Sequence, residues 1–294
     1  MTIRYLNKRD VLAACKGGSV YASGGGGFYK HGIEMGEAAV ALSPVVLKTI
    51  DEFEDDDLII TQTAIGAPAG TTDWQMLGKD YIRAVELLFE KHPHPEKIKG
   101  ILTPQNGKSS STNGWLAASA LGLAVVDATG DIRAHPTGKM GNMGVANDTS
   151  YETIQAVSGG RRETGRHIEL SVQGTAAYTS KILRIASDLS GGFIAAARHP
   201  LKASYIKENA VISGLSRAIE LGYRILDHEE EGATSVIDAI VEQTQGKVLA
   251  RGKVISKDMT YTDEAFDVGQ VKVSTENDIF TIHVQNEYMA VDSL

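Results

Sequence analysis

Four consecutive glycines, Gly24, Gly25, Gly26 and Gly27, form the stretch of the sequence best suited to holding a small molecule. Glycine loses more backbone freedom on folding than any other residue, so this run calls for positive φ angles or a close approach of the backbone to another group. Amides in such a loop can face an anion or a polar ligand, and a helix beginning near His31 adds partial positive charge. A tight turn without a ligand is the alternative. Because the run matches neither GxGxxG nor GxxxxGK[ST], neither dinucleotide nor P-loop binding is indicated.

Candidate acid–base groups occur in two other stretches, LAVVDATGDIRAHP and VQNEYMAV. Asp127 ends an apolar run, where it is either the cap of a following turn or a carboxylate that activates water. His135 is either a general acid or base or an ordinary loop histidine, and Arg133 either pairs with Asp127 or holds a substrate oxygen. Asn286 and Glu287 interrupt an apolar strand. A carboxylate buried there needs a partner, whereas an edge position would face solvent.

Strands that alternate with helices must position these groups. Apolar and β-rich runs predict strands at Ser19 to Ala22, Leu58 to Ile65, Ile98 to Leu102 and Leu123 to Asp127. Helical spacing of apolar residues predicts a helix from Gly78 to Lys91. This alternation indicates an α/β fold with a mainly parallel sheet and flanking helices.

Ligands of parallel sheets bind outside the carboxyl ends of the strands. Four polar or glycine-rich turns fall at such predicted ends, namely the glycine run, Gly66 to Thr72, Thr103 to Ser111 and Asp127 to Asn142. We therefore expect the glycine run and Asp127 to face a common hollow. Asn106 in the third turn would orient a ligand there, together with Arg133.

The pattern of the sequence changes after residue 165. Residues 1–165 are predicted to form the α/β domain, and residues 166–294 a smaller α+β domain that ends in an antiparallel meander. The meander is predicted from KVLARGKVIS, FDVGQVKVS and IFTIHVQNEYMAV, which alternate between apolar and polar residues and are joined by turn-prone segments.

Composition narrows the class of partner. The chain has 294 residues and a net charge of −8, and no basic stripe indicates a nucleic-acid surface. Cys15 is the only cysteine, which excludes an internal disulfide. We see no signal peptide and no apolar run near the ~18 residues of a membrane span, so we expect a cytoplasmic protein without membrane contact. A homo-oligomer is the ordinary expectation for such a protein.

Several motifs together resemble one family. SGGGGFYKHG, AIGAP, GLAVVDATGDIRAHP, SGGFIAAARHPL, SRAIELGYRI, GKVLARGKV and VQNEYMAV occur in this order from about Lys8 to the C-terminus. In this combination they resemble the S-methyl-thiohydantoin desulfurase-like family, which is found beside hydantoinase and oxoprolinase genes. The resemblance implies a two-domain α/β protein that hydrolyses an S-methylated thiohydantoin ring to a hydantoin and methanethiol. It also implies a divalent metal ion and a hydantoinase- or oxoprolinase-type partner.

The sequence departs from the family pattern at three positions where carboxylates are usual. It has Gln105 and Asn106 in the loop after a core strand, Thr129 in the DATG segment and Thr137 after Pro136. The ligands of a metal ion are therefore not identified by the resemblance.

Two functions follow as hypotheses. The first is a hydrolase of a small cyclic amide or thiohydantoin-like compound, in which backbone amides of the glycine run stabilise the negative charge that develops during attack by water. Its predicted catalytic residues are Asp127, His135 and Glu287. Its predicted substrate-binding residues are Gly24, Gly25, Gly26, Gly27, Asn106, Arg133 and Asn286. The second is a non-catalytic protein that binds a metabolite or serves as a hydantoinase accessory.

Overall fold

The computed structural model describes residues 4–66, 71–135, 140, 143–262 and 266–293. The strands in these ranges are β1 (Arg4–Leu6), β2 (Val45–Lys48), β3 (Leu58–Gly66), β4 (Ile98–Gln105), β5 (Ala124–Asp131), β6 (Glu152–Gly159), β7 (Ile168–Thr175), β8 (Phe193–Lys202), β9 (Val211–Ile212), β10 (Lys253–Tyr261), β11 (Asp267–Ser274), β12 (Ile279–Gln285) and β13 (Glu287–Ser293). The α-helices are α1 (Lys8–Tyr21), α2 (Tyr29–Leu42), α3 (Gly78–Lys91), α4 (Trp115–Leu121), α5 (Ala176–Leu189), α6 (Ala203–Asn209), α7 (Gly214–His228) and α8 (Ala233–Thr244).

A large mixed sheet has the strand order β1-β2-β5-β4-β3-β8-β6-β7, and β9 pairs with β5 beside this path. Its core strands β2, β5, β4 and β3 are parallel. The strands β1, β8, β6, β7 and β9 join antiparallel. The predicted α/β class with mainly parallel core strands is confirmed. The boundary predicted at residue 165 lies in the loop between β6 and β7, which are neighbours in this sheet, and the division into domains stays a prediction.

Helices cover both faces of the sheet, which explains why its strands are continuous apolar runs. Ile60, Ile101 and Val125 pack in one cluster with residues of α1, α2, α3, α4 and α7. Their sequence neighbours point the other way, and there Leu102 and Val126 pack with Ile206 of α6. Further along that opposite face, the helix α5 covers β6 and β8. The alternation of side chains along each strand thus fills two hydrophobic layers.

The segment before the glycine run is helical, so the predicted strand from Ser19 to Ala22 is wrong. Helix α1 continues to Tyr21, and the glycine run therefore connects two helices. Gly17 lies inside this helix and contacts α7. A Cβ atom on Gly17 would lie 1.8 Å from the carbonyl oxygen of Ala218 in α7. A glycine at this position lets the two helices approach closely.

Strand β5 is longer than predicted. It runs to Asp131, four residues beyond the predicted end, so Asp127 lies inside the strand. The extension is paired on both sides, because Thr129 and Asp131 lie opposite β4 residues and Thr129 also pairs with β9. The prediction that Asp127 closes the strand is therefore wrong.

The C-terminal segment folds as predicted into an antiparallel meander. Its four strands have the order β10-β11-β12-β13. Both faces of β10 are largely exposed, whereas the start of β13 is buried against the rest of the protein. None of the described helices combines the length and the apolar character that a membrane crossing requires.

Candidate functional site

A cavity of about 250 Å³ lies where the main sheet, the glycine run and the C-terminal meander meet. One wall is formed by the ends of the neighbouring strands β3 and β4, including Thr63 and Gln105. A second wall is formed by Gly24 to Gly27 and the loop that follows β4. Other walls are formed by His135, α5, β8 and the turn between β12 and β13. Two parallel strands thus end at this cavity, as the rule for ligand sites in such sheets predicts.

The glycine run requires glycine both for its positive φ angles and for its close contact with another loop. Gly24, Gly26 and Gly27 have positive φ angles of 93°, 81° and 82°. A Cβ atom on Gly26 would lie 2.3 Å from the Cα atom of Gly107, so the two loops touch backbone to backbone. The amides of Ser109 and Ser110 donate to the carbonyl oxygen of Gly26 at 2.9 and 3.2 Å. These bonds fix the run against the loop that follows β4.

The turn between β12 and β13 carries Glu287 into the cavity. Asn286 has a φ angle of 58° and is fastened to Asp267, because its amide donates to the Asp267 carbonyl at 2.7 Å and its Oδ1 accepts from the Asp267 amide at 2.8 Å. On the other side the amide of Tyr288 donates to the carbonyl of Ser23 at 2.7 Å. The turn is thereby tied to the residue that precedes the glycine run.

Glu287 lies directly against the glycine run. A Cβ atom on Gly25 would be 2.2 Å from its Oε1. The residue is only 4% exposed, and its Oε2 receives no hydrogen bond from the described part of the chain. Burial raises the pKa of the Glu287 carboxyl to about 7, although the charges of Arg133, Lys108 and Arg184 act in the opposite direction. The side chain can therefore exchange a proton near neutral pH.

Three cationic side chains also line the cavity: Lys108, Arg184 and Arg198. Lys108 donates from Nζ to the carbonyl oxygen of Gly24 at 2.9 Å, and burial lowers its pKa. Arg198 is buried on β8, and it donates to Gln155 and, at 2.7 Å, to Ser180 of α5. Burial, together with the charge of Arg184, lowers the pKa of Arg198 to about 10. The cavity therefore combines one carboxyl of raised pKa with fixed positive charge.

Asp127 does not line this cavity, so the predicted common hollow with the glycine run is wrong. Its carboxylate accepts from the amide and the hydroxyl of Ser216 at 2.9 and 2.7 Å. Ser216 lies in the first turn of α7, where backbone amides lack helical partners. Asp127 therefore caps α7 from the middle of β5, which is the capping alternative with a helix in place of a turn.

The other predicted residues divide into two groups. Asn286 and His135 line the cavity with the four glycines and Glu287. Asn106 is buried outside the lining, where its Nδ2 donates to the carbonyls of Ile132 and Gly214 at 3.0 and 3.1 Å. Arg133 also lies outside the lining. It donates to the carbonyls of Ala134 and Tyr288 at 3.0 and 3.3 Å.

Parts of two predicted turns lie outside the described residues. Gly66 lines the cavity, but residues 67–70 of the turn after β3 are not among those described. The same holds for residues 136–139 and 141–142 of the turn after β5, which include Thr137.

The sequence reasoning missed Lys108, Arg184 and Arg198. The position of Lys108 could have indicated its place in the site, since it lies in the polar loop predicted at the end of a core strand. Arg198 is followed by His199 and Pro200 at the end of a buried run, but nothing in that run distinguishes it from a residue that faces solvent. Arg184 and Ser180 share one face of α5, and only the packing of α5 against β8 brings them to the cavity.

The family model described as S-Me-THD-like, N-terminal domain, matches residues 9–163, and the one described as S-Me-THD-like, C-terminal domain, matches residues 174–293. No curated protein matches the sequence. The crystal structure of a protein from Chromobacterium violaceum is 21% identical, with a TM-score of 0.70, over 99% of this chain and 77% of that one. At this identity the likeness is one of fold.

Proposed function

Because the chain belongs to the S-methyl-thiohydantoin desulfurase-like family, we propose that it hydrolyses a small cyclic amide or thiohydantoin-like compound in this cavity. The observation that carries the proposal is Glu287, a carboxyl that lines the cavity at 4% exposure with an Oε2 not hydrogen-bonded by the described residues. Its pKa of about 7 makes both of its protonation states available near neutral pH.

In the proposed reaction, ionised Glu287 takes a proton from water while the water oxygen bonds to the ring carbon that carries the S-methyl group. The electron pair of the carbon–nitrogen double bond moves to the ring nitrogen, which receives the second water proton and leaves an oxyanion on the tetrahedral carbon. The carbon–sulfur bond then breaks as the oxyanion forms the carbonyl double bond. Methanethiolate leaves and takes the proton held by Glu287, which yields methanethiol and hydantoin and restores the carboxylate.

Positive groups around the cavity would stabilise the negative charge that this attack places on the ring. Lys108 is the proposed principal source of positive charge, because it lines the cavity beside Gly24 and acts electrostatically on Glu287. The backbone amides of Gly24, Gly26 and Gly27 are the proposed neutral donors, whereas the predicted role of the Gly25 amide does not fit, because it donates to the Ala22 carbonyl at 3.1 Å. Preorganised donors in a buried site contribute strongly to such steps, and removal of one costs about 10²–10³-fold in rate.

The metal ion implied by the family resemblance is given no step in this mechanism. Within the ranges that the structure describes, no three His, Cys, Asp or Glu side chains form a group that fits a metal ion. The described residues therefore do not offer the three side-chain ligands of a typical zinc site. The expectation of a metal is tested by running the assay below with a chelator and with added divalent metals.

The test measures methanethiol release from S-methyl-thiohydantoin, and ring opening of hydantoin, by wild type and Glu287→Gln. We expect turnover by wild type and a loss of about 10²–10⁴-fold in kcat in the variant, the usual size of a general acid–base contribution. Glu276→Gln is the matched control, since this glutamate is exposed between β11 and β12 of the same meander, and it should retain full activity.

Two outcomes would change the proposal. Full activity in Glu287→Gln would remove the role given to Glu287. Binding of these rings in a thermal-shift assay, without turnover by any variant, would replace the hydrolase by the non-catalytic metabolite-binding alternative. A homo-oligomer and a hydantoinase-type partner are further expectations, which light scattering and copurification would test.

A further inference from the structure

A buried histidine outside the cavity is connected to the cavity wall by a chain of hydrogen bonds. His31 lies in the first turn of α2 and is 8% exposed. Its Nε2 is 3.1 Å from the hydroxyl of Tyr81, a residue of α3 with no exposed surface. The same hydroxyl is 3.0 Å from the side-chain amide of Asn113, which lines the cavity. Trp74, whose ring centroid is 6.0 Å from that of His31, packs edge to face against the imidazole.

The surroundings of Asn113 fix the direction of these bonds. With its Nδ2 towards Tyr81, Asn113 donates to the Tyr81 hydroxyl at 3.0 Å and to the Ser109 carbonyl at 2.8 Å, and its Oδ1 accepts from the Ala64 amide at 3.2 Å. The opposite orientation would set Oδ1 against the Ser109 carbonyl and Nδ2 against the Ala64 amide, two repulsive contacts. Since Tyr81 accepts from Asn113, its own hydroxyl proton is directed at His31.

We propose that His31 is a positioning residue that, by accepting from the Tyr81 hydroxyl, stabilises the side-chain orientation that Asn113 has against Ala64 and Ser109 in the cavity wall. In this arrangement His31 is neutral, with its proton on Nδ1, and Nε2 accepts from Tyr81. Asn113 then joins the end of β3, through Ala64, to the loop that carries Ser109 and holds Gly26. The proposal does not depend on the hydrolysis proposed above.

Protonation of His31 would oppose this chain. An N–H at Nε2 can only donate to Tyr81, so the Tyr81 hydroxyl keeps an acceptor only if the Asn113 amide turns by 180°. That turn breaks both the Ala64 and the Ser109 bond, so the shape of the cavity wall would change with the protonation of a residue behind it.

The groups around His31 keep it neutral. Burial lowers the pKa of His31, and Glu34 on its own helix acts weakly in the opposite direction. From α3 it faces Tyr81, whose pKa burial raises well above its usual value with a contribution from Asp80. From α1, Cys15 approaches the neighbouring Gly32. Burial raises the pKa of the Cys15 thiol to about 12, so it carries no charge at neutral pH.

Nuclear magnetic resonance of the ¹⁵N-labelled protein tests the proposal without a substrate. The imidazole nitrogen shifts of His31 should report the tautomer with the proton on Nδ1. The side-chain amide signal of Asn113, identified by its absence in Asn113→Ser, should shift with pH at the midpoint of His31. In Tyr81→Phe, which removes the connecting hydroxyl, the Asn113 signal should no longer follow His31.

A second set of variants tests the role of His31 if Tyr81→Phe fails to fold. It also does so if His31 remains neutral down to the pH at which the protein unfolds. His31→Gln keeps an acceptor for Tyr81 and should leave the Asn113 signal at its neutral-pH position. His31→Leu removes the acceptor and should shift it. His92→Gln, at the half-exposed end of α3, is the control without effect. A His31 proton on Nε2, or an equal Asn113 signal in His31→Gln and His31→Leu, would overturn the proposal.

Discussion

Two buried carboxylates, Asp127 and Glu287, have similar exposure and opposite surroundings. Asp127 is 6% exposed, and both of its oxygens accept from Ser216. Glu287 is 4% exposed, and its Oε2 has no hydrogen-bond donor among the described residues. The difference between the two is the supply of donors, since a helix N-terminus faces Asp127 and a cavity faces Glu287.

The position of a polar residue in an apolar run does not by itself imply a function. A carboxylate whose acceptors are filled by a helix N-terminus stabilises that helix and is unavailable to a ligand. A carboxylate that is buried with one oxygen lacking a donor has a higher free energy in its charged form, which shifts its pKa towards neutrality. Such a group is costly to keep in a fold, and it is therefore the better candidate for chemistry.

The largest expected effect concerns the loop that holds Glu287 in place. Gly26→Ala forces a left-handed conformation on alanine and sets its Cβ 2.3 Å from the Gly107 Cα. We expect a loss of about 2–5 kcal/mol in the free energy of unfolding, from strain and overpacking together. Chemical denaturation measures it. Gly122→Ala is the control, because it has a positive φ of 70° but nothing within 4 Å of the added atom; an equal loss there would mean that the backbone contact at Gly26 contributes nothing.

The next effect is the pH dependence of stability that Glu287 contributes. Because its pKa is raised to about 7 in the folded protein, the folded state keeps a proton that the unfolded state has lost above its ordinary value of 4.5. Its stabilising contribution is therefore complete below pH 4.5 and is lost as the pH rises through about 7. At about 1.4 kcal/mol per unit, the loss is on the order of 3 kcal/mol.

Denaturation of wild type and Glu287→Gln from pH 5 to 8 isolates this contribution. Groups common to both proteins, including the buried His31 and His199 whose pKa values burial lowers, cancel in the difference between the two. We expect wild type to lose stability relative to the variant as the pH rises. A constant difference would show that Glu287 is ionised throughout and is not the poised group proposed for the cavity.

Much of the fold was predictable because it depends on local patterns. The core strands around Ile60 and Ile101, the helix Gly78–Lys91 and the C-terminal meander follow from apolar runs and spacing. The end of α1 was not predictable, since glycine usually weakens a helix. Only the contact of Gly17 with α7 explains why the helix continues past this residue. In the site, the glycine run and Glu287 were found by residue type. Arg184 and Arg198 were not, because they meet through the packing of α5 on β8.

The smallest expected effect is the loss of stability on changing Asp127, the buried carboxylate whose oxygens both accept hydrogen bonds. Asp127→Asn weakens the cap of α7 because its single neutral oxygen accepts less strongly than a carboxylate, and its Nδ2 cannot accept the second bond from Ser216. We expect a loss of about 1–2 kcal/mol in the free energy of unfolding. Ser216→Ala keeps the amide bond to Asp127 and removes the hydroxyl bond, together with the bond that the hydroxyl oxygen accepts from Arg4 at 3.4 Å. The double variant should therefore lose less than the sum of the single ones. In any assay in which wild type is active, the folded fraction of Asp127→Asn should keep the wild-type rate. A fully folded Asp127→Asn protein without activity would show that this carboxylate takes part in the reaction. Whether a buried carboxylate oxygen has a hydrogen-bond donor would then not separate structural from functional residues in this fold.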